Sequence, residues 1–489
     1  MTAERFLVAA YLIACIGIGL WASRRALSSS DEYWVAGRRI TTGVNALAIM
    51  AALASGGSII GVMGLAYGRG IPYALALFAG AVVGFPVASV LVARPLRNFG
   101  RYTITDFLVF RFPHLIVRLS APLLIVAAFT AYIVAQMKAA GITAEVLLGF
   151  PYNYAVLVSA VVFILYVSIG GMVAVTWTDV AQGILMLSVV IGIALLILVR
   201  DGSPAALLDE AAGKGARLGA AFNQPLLSYI GSFVLWATAI SVIPHIVMRV
   251  YSARNATAAR LSLNLAMVAF SAMILFAVLV IVPKGAALFP ELSDADRVFL
   301  FTVETQFPPL VRGMAVAAII AAVMSTTDAL LLACSSAVAH DFIRSALQRT
   351  MTRKTEQRVV VCVAWVVGVV ATALALAPPA LLTEFYSAAI GLLSASFFVP
   401  VVAGLWWKKA TRMGGAAALC TGALTYLAAE FLSAAPPLSA ILFALPASAL
   451  AMWGVSRFLD PPPDDAIQEA IAALHHDPPI QDLRSRKND

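Results

Sequence analysis

Apolar runs of about 20 residues recur along this chain, at roughly 5–23, 43–67, 71–93, 119–143, 153–172, 178–199, 226–248, 261–283, 310–339, 358–377, 383–407, 413–432 and 436–457. A helix needs about 20 such residues to cross a hydrocarbon layer about 30 Å thick. Lipid offers no water to unpaired backbone groups, so runs of this length are restricted to helices. With 61% hydrophobic and only 12% charged residues in 489, a soluble globular fold is excluded. The chain reads as an all-α polytopic membrane protein with about 13 transmembrane helices. The first run has no A-x-A cleavage pattern behind a short apolar core and reads as a retained helix rather than a signal peptide.

An odd number of spans puts the termini on opposite sides, and the basic residues choose between them. The loops after spans 1, 3, 7, 9 and 11, with the tail, carry 24 of the 33 Lys and Arg residues, in stretches such as "MRVYSAR", "TRKTEQR" and "WWKKATR". Eight fall on the other side and one, Lys138, lies inside a span. The positive-inside rule then predicts a multi-pass protein of the cell inner (plasma) membrane, N-terminus outside and C-terminus cytoplasmic. The net charge of +8 is a topology signal, and no nucleic-acid partner is expected. The expected partners are the lipid bilayer, an ion and a small solute, with no obligate protein partner.

No Walker A, H-E-x-x-H, Rossmann glycine or G-x-S-x-G pattern occurs, so neither an ATP-driven pump nor an embedded hydrolase is suggested. The chain is expected not to be an enzyme and to need no cofactor, an ion gradient supplying the energy. Cys15, Cys334, Cys362 and Cys420 all lie in apolar runs without metal-ligand spacing and are expected to be free core thiols. The loop 200–225 has room for a short surface helix. The tail after about 458, proline-bounded with one short amphipathic stretch, is expected to be mostly disordered.

Two spans carry breaks. The second contains "ASGGSIIG" (54–61), and the seventh contains "WATAISVIPHIVMR", interrupted by Pro244. Paired broken helices point to a transporter's binding site, and their separation by five spans fits inverted repeats made of spans 2–6 and 7–11. Taken singly, small residues pack helices and a proline kinks one. The ninth span adds "AAVMSTTDALLLACSS" (321–336). Its Ser325 and Thr326 hydroxyls stand one turn after the Ala322 carbonyl. With carbonyls freed at Ala54 and Gly57 they make five neutral oxygens, a sodium-like set; the competing reading is back-bonding of both hydroxyls to their own helix.

"GGMVAVTWTDVAQGILML" (170–187), "IPHIVMR" (243–249) and the 321–336 segment together resemble the sodium:solute symporter family, over a stretch from "YWVAGRR" (33–39) to "LWWKKATRMGG" (405–415). The resemblance implies a leucine-transporter-like core of two inverted five-helix repeats, working by alternating access with sodium as coupling ion. The family's shared sodium ligands fall on Ala54, Gly57, Ala322, Ser325 and Thr326. The resulting division is a first helix and cytoplasmic loop (1–40), first repeat (41–200), second repeat (201–410), two last helices (411–458) and a cytoplasmic tail (459–489).

Ionisable residues within spans are functional candidates because of their insertion cost. Asp179 matches an acidic residue that some relatives use near sodium; it also suits a helix start. Asp328 and Ala329 stand where relatives with a second sodium carry hydroxyls, so Asp328 either replaces a ligand or pairs with another residue. Lys138 has three readings: a substrate-carboxylate anchor, a surrogate second cation beside Asp179 or Asp328, or a side chain snorkelling to an interface. The substrate is expected near the midplane, between spans 2, 4, 7 and 11, against Ser55, Ser58, Tyr132, Gln136, Trp236, Thr238, Tyr386 and Ser387.

"YIVAQMKAAG" is similar to short monocarboxylate carriers, Trp236 and "WTDVAQ" to proline carriers, and "ALFPELSDADRVFLFTVETQFPP" (287–309) to pantothenate carriers. Ile240 replaces the tyrosine that proline carriers place between the Trp and the Pro. The shared chemistry is a small organic carboxylate, received by the positive end of a half-helix. Two alternatives accompany sodium symport: a proton-coupled carrier using Asp179, Asp328 and Lys138 as a relay, and a transporter-like sensor working with a separate signalling partner.

Overall fold

The computed structural model describes residues 3–26, 29–219, 223–349, 351–379, 381–432, 435–461 and 463–476. Among the described residues the regular elements are all helices, and one isolated bridge joins Ile40 to Ala253. Among the described residues nine helices are long and apolar enough to cross a membrane: Ile71–Phe99, Leu115–Leu148, Gly171–Asp201, Leu226–Ser252, Ala256–Leu288, Pro309–Ala346, Lys354–Ala375, Leu382–Trp406 and Ile441–Phe458. A further span is bent by 61° between Thr42–Leu53 and Gly57–Arg69. The other three apolar runs are helical too: Ala3–Ala26, the part of Tyr152–Asp201 before Gly171, and Arg412–Phe431. The protein is therefore an all-helical, multi-pass membrane protein.

Spans 5 and 6 are separated by a single residue. Gly171 takes φ 54, ψ −169, a backbone that favours glycine. A Cβ there would stand 2.7 Å from the Tyr33 ring.

The ninth span is the axis of the molecule. In its most apolar stretch 94% of residues are buried, against 22% in the last span. A helix apolar on all sides belongs in the interior, and its small residues let the first, fourth and sixth spans approach closely. Lipid-facing spans keep one exposed apolar stripe, as with Val366, Val369 and Val370 of the tenth.

The loops rich in basic residues gather at one end. There Arg97 donates to the carbonyls of Ala253 and Arg254. At the opposite end ion pairs join Arg69 to Glu384 at 3.0 Å and Arg297 to Glu145 at 2.6 Å.

The loop helix expected in 200–225 is Pro204–Gly213, capped by Ser203. The short amphipathic stretch of the tail is the helix Asp465–Ala473. Asn98 Nδ2 holds its end through the carbonyls of Leu474 and His476, at 2.9 and 3.0 Å, because the amphipathic stretch buries Ile471 against the basic end. Residues 477–489 of the tail lie outside the described residues. The four cysteines are free thiols, but Cys362 is exposed on the tenth helix rather than in the core.

Candidate functional site

The second span stops at Leu53 and resumes as a wide-turned helix at Gly57. Side chains satisfy the backbone groups that the break releases. Ser55 Oγ accepts from Ser58 N at 2.9 Å, Ser58 Oγ donates to Leu53 O at 2.7 Å, and Gly56 N donates to Gln136 Oε1 of the fourth span at 3.1 Å. Tyr132 OH donates to Ser55 Oγ at 3.2 Å. Both central glycines are required by contact. A Cβ on Gly56 would stand 2.6 Å from Val323 and 2.8 Å from Ala139, and one on Gly57 would stand 2.6 Å from the Tyr386 ring.

The ninth span lies against this break. Ser325 Oγ donates to Ala51 O at 2.9 Å and shares a second contact with Ala322 O at 3.1 Å; Thr326 Oγ1 donates to Ala52 O at 3.1 Å. The two readings of the hydroxyls thus meet in one place, since Ser325 both back-bonds and crosses to the neighbouring helix. The carbonyls reached belong to the last turn before the break, three and two residues before Ala54. Gly57 O instead lies 3.4 Å from Thr383 Oγ1 of the eleventh span.

The seventh span breaks as Pro244 suggested, with helix Leu226–Ala239, a turn, and helix Pro244–Ser252. A small cavity of about 20 Å³ lies between the two breaks. Leu53, Ser58 and Val62, with Trp236 and Ile240, line it from the broken spans, and Tyr386 from the eleventh. The third span adds Leu77, Phe78 and Ala81, and the eighth adds Phe270 and Ile274. Those five were missed in the sequence, where an apolar residue facing a cavity looks like one facing lipid.

Of the eight substrate candidates, Ser58, Trp236 and Tyr386 line the cavity. The others stand behind it. Trp236 Nε1 donates to Ser387 Oγ at 3.1 Å, the Tyr132 and Tyr386 rings stack with centroids 4.9 Å apart, and Thr238 and Ser394 share a hydroxyl contact of 2.6 Å.

The ionisable candidates separate into two places. Asp179 is fully buried and accepts from Arg249 Nη2, while Arg249 Nη1 donates to Thr176 Oγ1 at 2.6 Å. Asp328 is also fully buried, and neither of its oxygens has a partner among the described residues. Arg249 was read as a loop residue, although its place at the end of an apolar run was a signal of burial. Lys138 is held in a buried ion pair. Its Nζ donates to Asp296 at 2.8 Å and to Pro379 O at 2.9 Å, and the residue is 3% exposed. Asp296, which the sequence places in a loop, folds back over Gly64 and also accepts from Leu382 N at 3.1 Å.

A family profile for the sodium:solute symporter family matches residues 33–422. Sodium/proline symporters of Staphylococcus aureus are 29% identical over 442 residues, covering 86% of this chain and 84% of theirs. Among solved structures, a Na+-coupled sialic acid symporter in a substrate-bound outward-open state aligns with a TM-score of 0.79 at 17% identity, over 95% of this chain and 99% of that one. MhsT in complex with L-phenylalanine aligns at 0.54 and 14% identity, over 85% and 98% of the two chains. The structural likenesses support the fold, a leucine-transporter-like one.

Proposed function

The chain belongs to the sodium:solute symporter family, and from that premise we propose that it imports a small organic carboxylate together with sodium by alternating access. The observation that carries this reading is the broken second span, with the Ser325 and Thr326 hydroxyls 2.9 and 3.1 Å from carbonyls of its last inner turn. We assign sodium to Ala54, Gly57, Ala322, Ser325 and Thr326. The ion is a hard cation suited to neutral oxygens, and these five belong to the two helices that meet at the break. Spans 2–6 and 7–11 act as the inverted repeats, each opening with a broken helix, and the basic end faces the cytoplasm.

The cavity wall supports a compact substrate with an apolar body. Its polar groups are few, the Ser58 hydroxyl, Trp236 and Tyr386, and the start of the outer half-helix at Gly57 offers a positive dipole end to a carboxylate. Monocarboxylates, proline and pantothenate are the substrates to test. The curated relatives are named for proline, whereas Ile240, where the resemblance to proline carriers implies a tyrosine, lines the cavity.

The test is uptake by proteoliposomes of labelled acetate, pyruvate, proline and pantothenate, with and without an inward sodium gradient. Accumulation of one of them only with the gradient supports the reading; uptake indifferent to sodium overturns it. A second reading, proton coupling, draws on the unpartnered carboxylate of Asp328. It expects uptake to follow an imposed pH gradient in the absence of sodium.

A further inference from the structure

The basic end of the molecule holds a cluster that transport through the central cavity does not use. Asp106 lies in the short helix Ile104–Arg111 between the third and fourth spans, and His340 and Asp341 lie in the last turns of the ninth. His340 Nε2 stands 3.0 and 3.1 Å from the two Asp106 oxygens. One nitrogen or oxygen from each of the three side chains lies within 4.8 Å of the other two. Asp341 is only 2% exposed.

An Asp–His ion pair explains half of this arrangement. The other half is a second carboxylate: Asp341 Oδ2 is buried without a partner among the described residues. A further group points the same way from a third element. Tyr251, at the inner end of the seventh span, is fully buried, its hydroxyl has no hydrogen-bond partner among the described residues, and it lies within electrostatic reach of both carboxylates. Two buried carboxylates face a single imidazole here, and a bound cation would let both ionise. The neighbouring cations are engaged or outside: Arg38 donates to Gly100 O and lies over the Tyr102 ring, and Arg344 is exposed.

The carboxylates are also held in place as metal ligands require. Asp106 is fixed by the amides of Tyr102 and Thr103 at 3.1 and 3.2 Å in a capping box, and Asp341 Oδ1 by the Thr103 hydroxyl at 2.8 Å. Two ligands on one tetrahedral zinc stand about 3.3 Å apart when each is about 2.0–2.1 Å from the metal. The His340 to Asp106 separation is close to that. An imidazole nitrogen with carboxylate oxygens suits zinc or a similar first-row divalent ion and is a poor set for magnesium or calcium.

We propose that Asp106, His340 and Asp341 bind a divalent transition-metal ion of the zinc type, oriented by Thr103. The ion stands where the shared proton between His340 and Asp106 would otherwise lie. It ties the helix between spans 3 and 4 to the ninth span, the helix that also carries Ser325 and Thr326.

The test is equilibrium binding of zinc to the purified full-length protein after chelator treatment, using radioactive zinc, for the wild type, His340→Ala, Asp341→Asn and, as a control at the same end, His475→Ala. The expected result is one zinc per chain, at least tenfold weaker in His340→Ala and Asp341→Asn and unchanged in His475→Ala. Equal binding in all four proteins, or no stoichiometric binding by the wild type, overturns the proposal. Should the two ligand variants fail to fold, the zinc-edge absorption spectrum of the wild type decides. One imidazole with oxygen neighbours supports the site, and sulfur or two imidazoles overturns it.

Discussion

Arg249 and Asp179 form an ion pair with 1% and 0% side-chain exposure, bringing the second half of the broken seventh span against the sixth. Breaking a buried pair from one side costs about 3–5 kcal/mol, because the remaining charge is stranded. Arg249→Met strands Asp179 and removes the cation whose field also reaches Asp328. A large loss of thermal stability in detergent is therefore expected, with part of it recovered in the double variant Asp179→Leu with Arg249→Met. Wild-type stability in Arg249→Met alone would mean that the pair holds nothing together.

Lys138 and Asp296 form the corresponding pair at the opposite end, and the Lys138→Met experiment separates their role from substrate binding. The Lys138 ammonium ties the fourth span to Asp296 and to the carbonyl of Pro379, just before the eleventh. Lys138→Met is expected to cost stability by about 3–5 kcal/mol, read from thermal unfolding, while the sodium dependence and substrate KM of the residual uptake stay near wild type. A selective loss of substrate binding at saturating sodium would restore the carboxylate-anchor role.

The apolar runs made the number and order of the helices legible, since nothing but a helix satisfies a backbone in lipid. Both breaks were legible as well, from glycines at 56 and 57 and from Pro244. The partners of the buried charges were not. Asp296 lies 158 residues from Lys138 in what reads as a loop, and Arg249 served equally well as a topology signal until its burial was seen. The third and eighth spans' share of the cavity was hidden for a different reason: Leu77, Phe78 and Phe270 satisfy the same hydrophobic pattern whether they meet substrate or lipid. The His340 cluster left no mark, because its ligands come from segments 234 residues apart.

Gly57→Ala tests whether the break is shaped by packing as well as by backbone freedom. The new methyl would meet the Tyr386 ring at 2.6 Å, and that ring is stacked on Tyr132 at a 13° angle and has little room to retreat. Overpacking of this kind costs about 1–3 kcal/mol. Because Tyr386 also lines the cavity, a raised substrate KM is expected together with the lost stability. Gly43→Ala is the control: nothing lies within 4 Å of its Cβ, and a change of no more than about 1 kcal/mol, in the stabilising direction, is expected in a helix.

Ser325 and Thr326 differ from the other buried hydroxyls of the ninth span in reaching a second helix at its point of rupture. If they ligate sodium, replacing both by alanine removes two of five oxygens and leaves the carbonyls of the second span without their partners. The sodium concentration for half-maximal uptake is then expected to rise at least tenfold, with substrate KM at saturating sodium changing far less. Asp328→Asn, three residues on, distinguishes a one-cation from a two-cation mechanism. An unchanged charge-to-substrate ratio, measured electrically in proteoliposomes, assigns the coupling to the Ser325 and Thr326 site alone, and a ratio reduced by one charge assigns a second cation to Asp328. Unaltered sodium dependence in the double alanine variant would remove the site altogether, because no other pair of hydroxyls was found to bridge the ninth span to the broken second helix among the described residues.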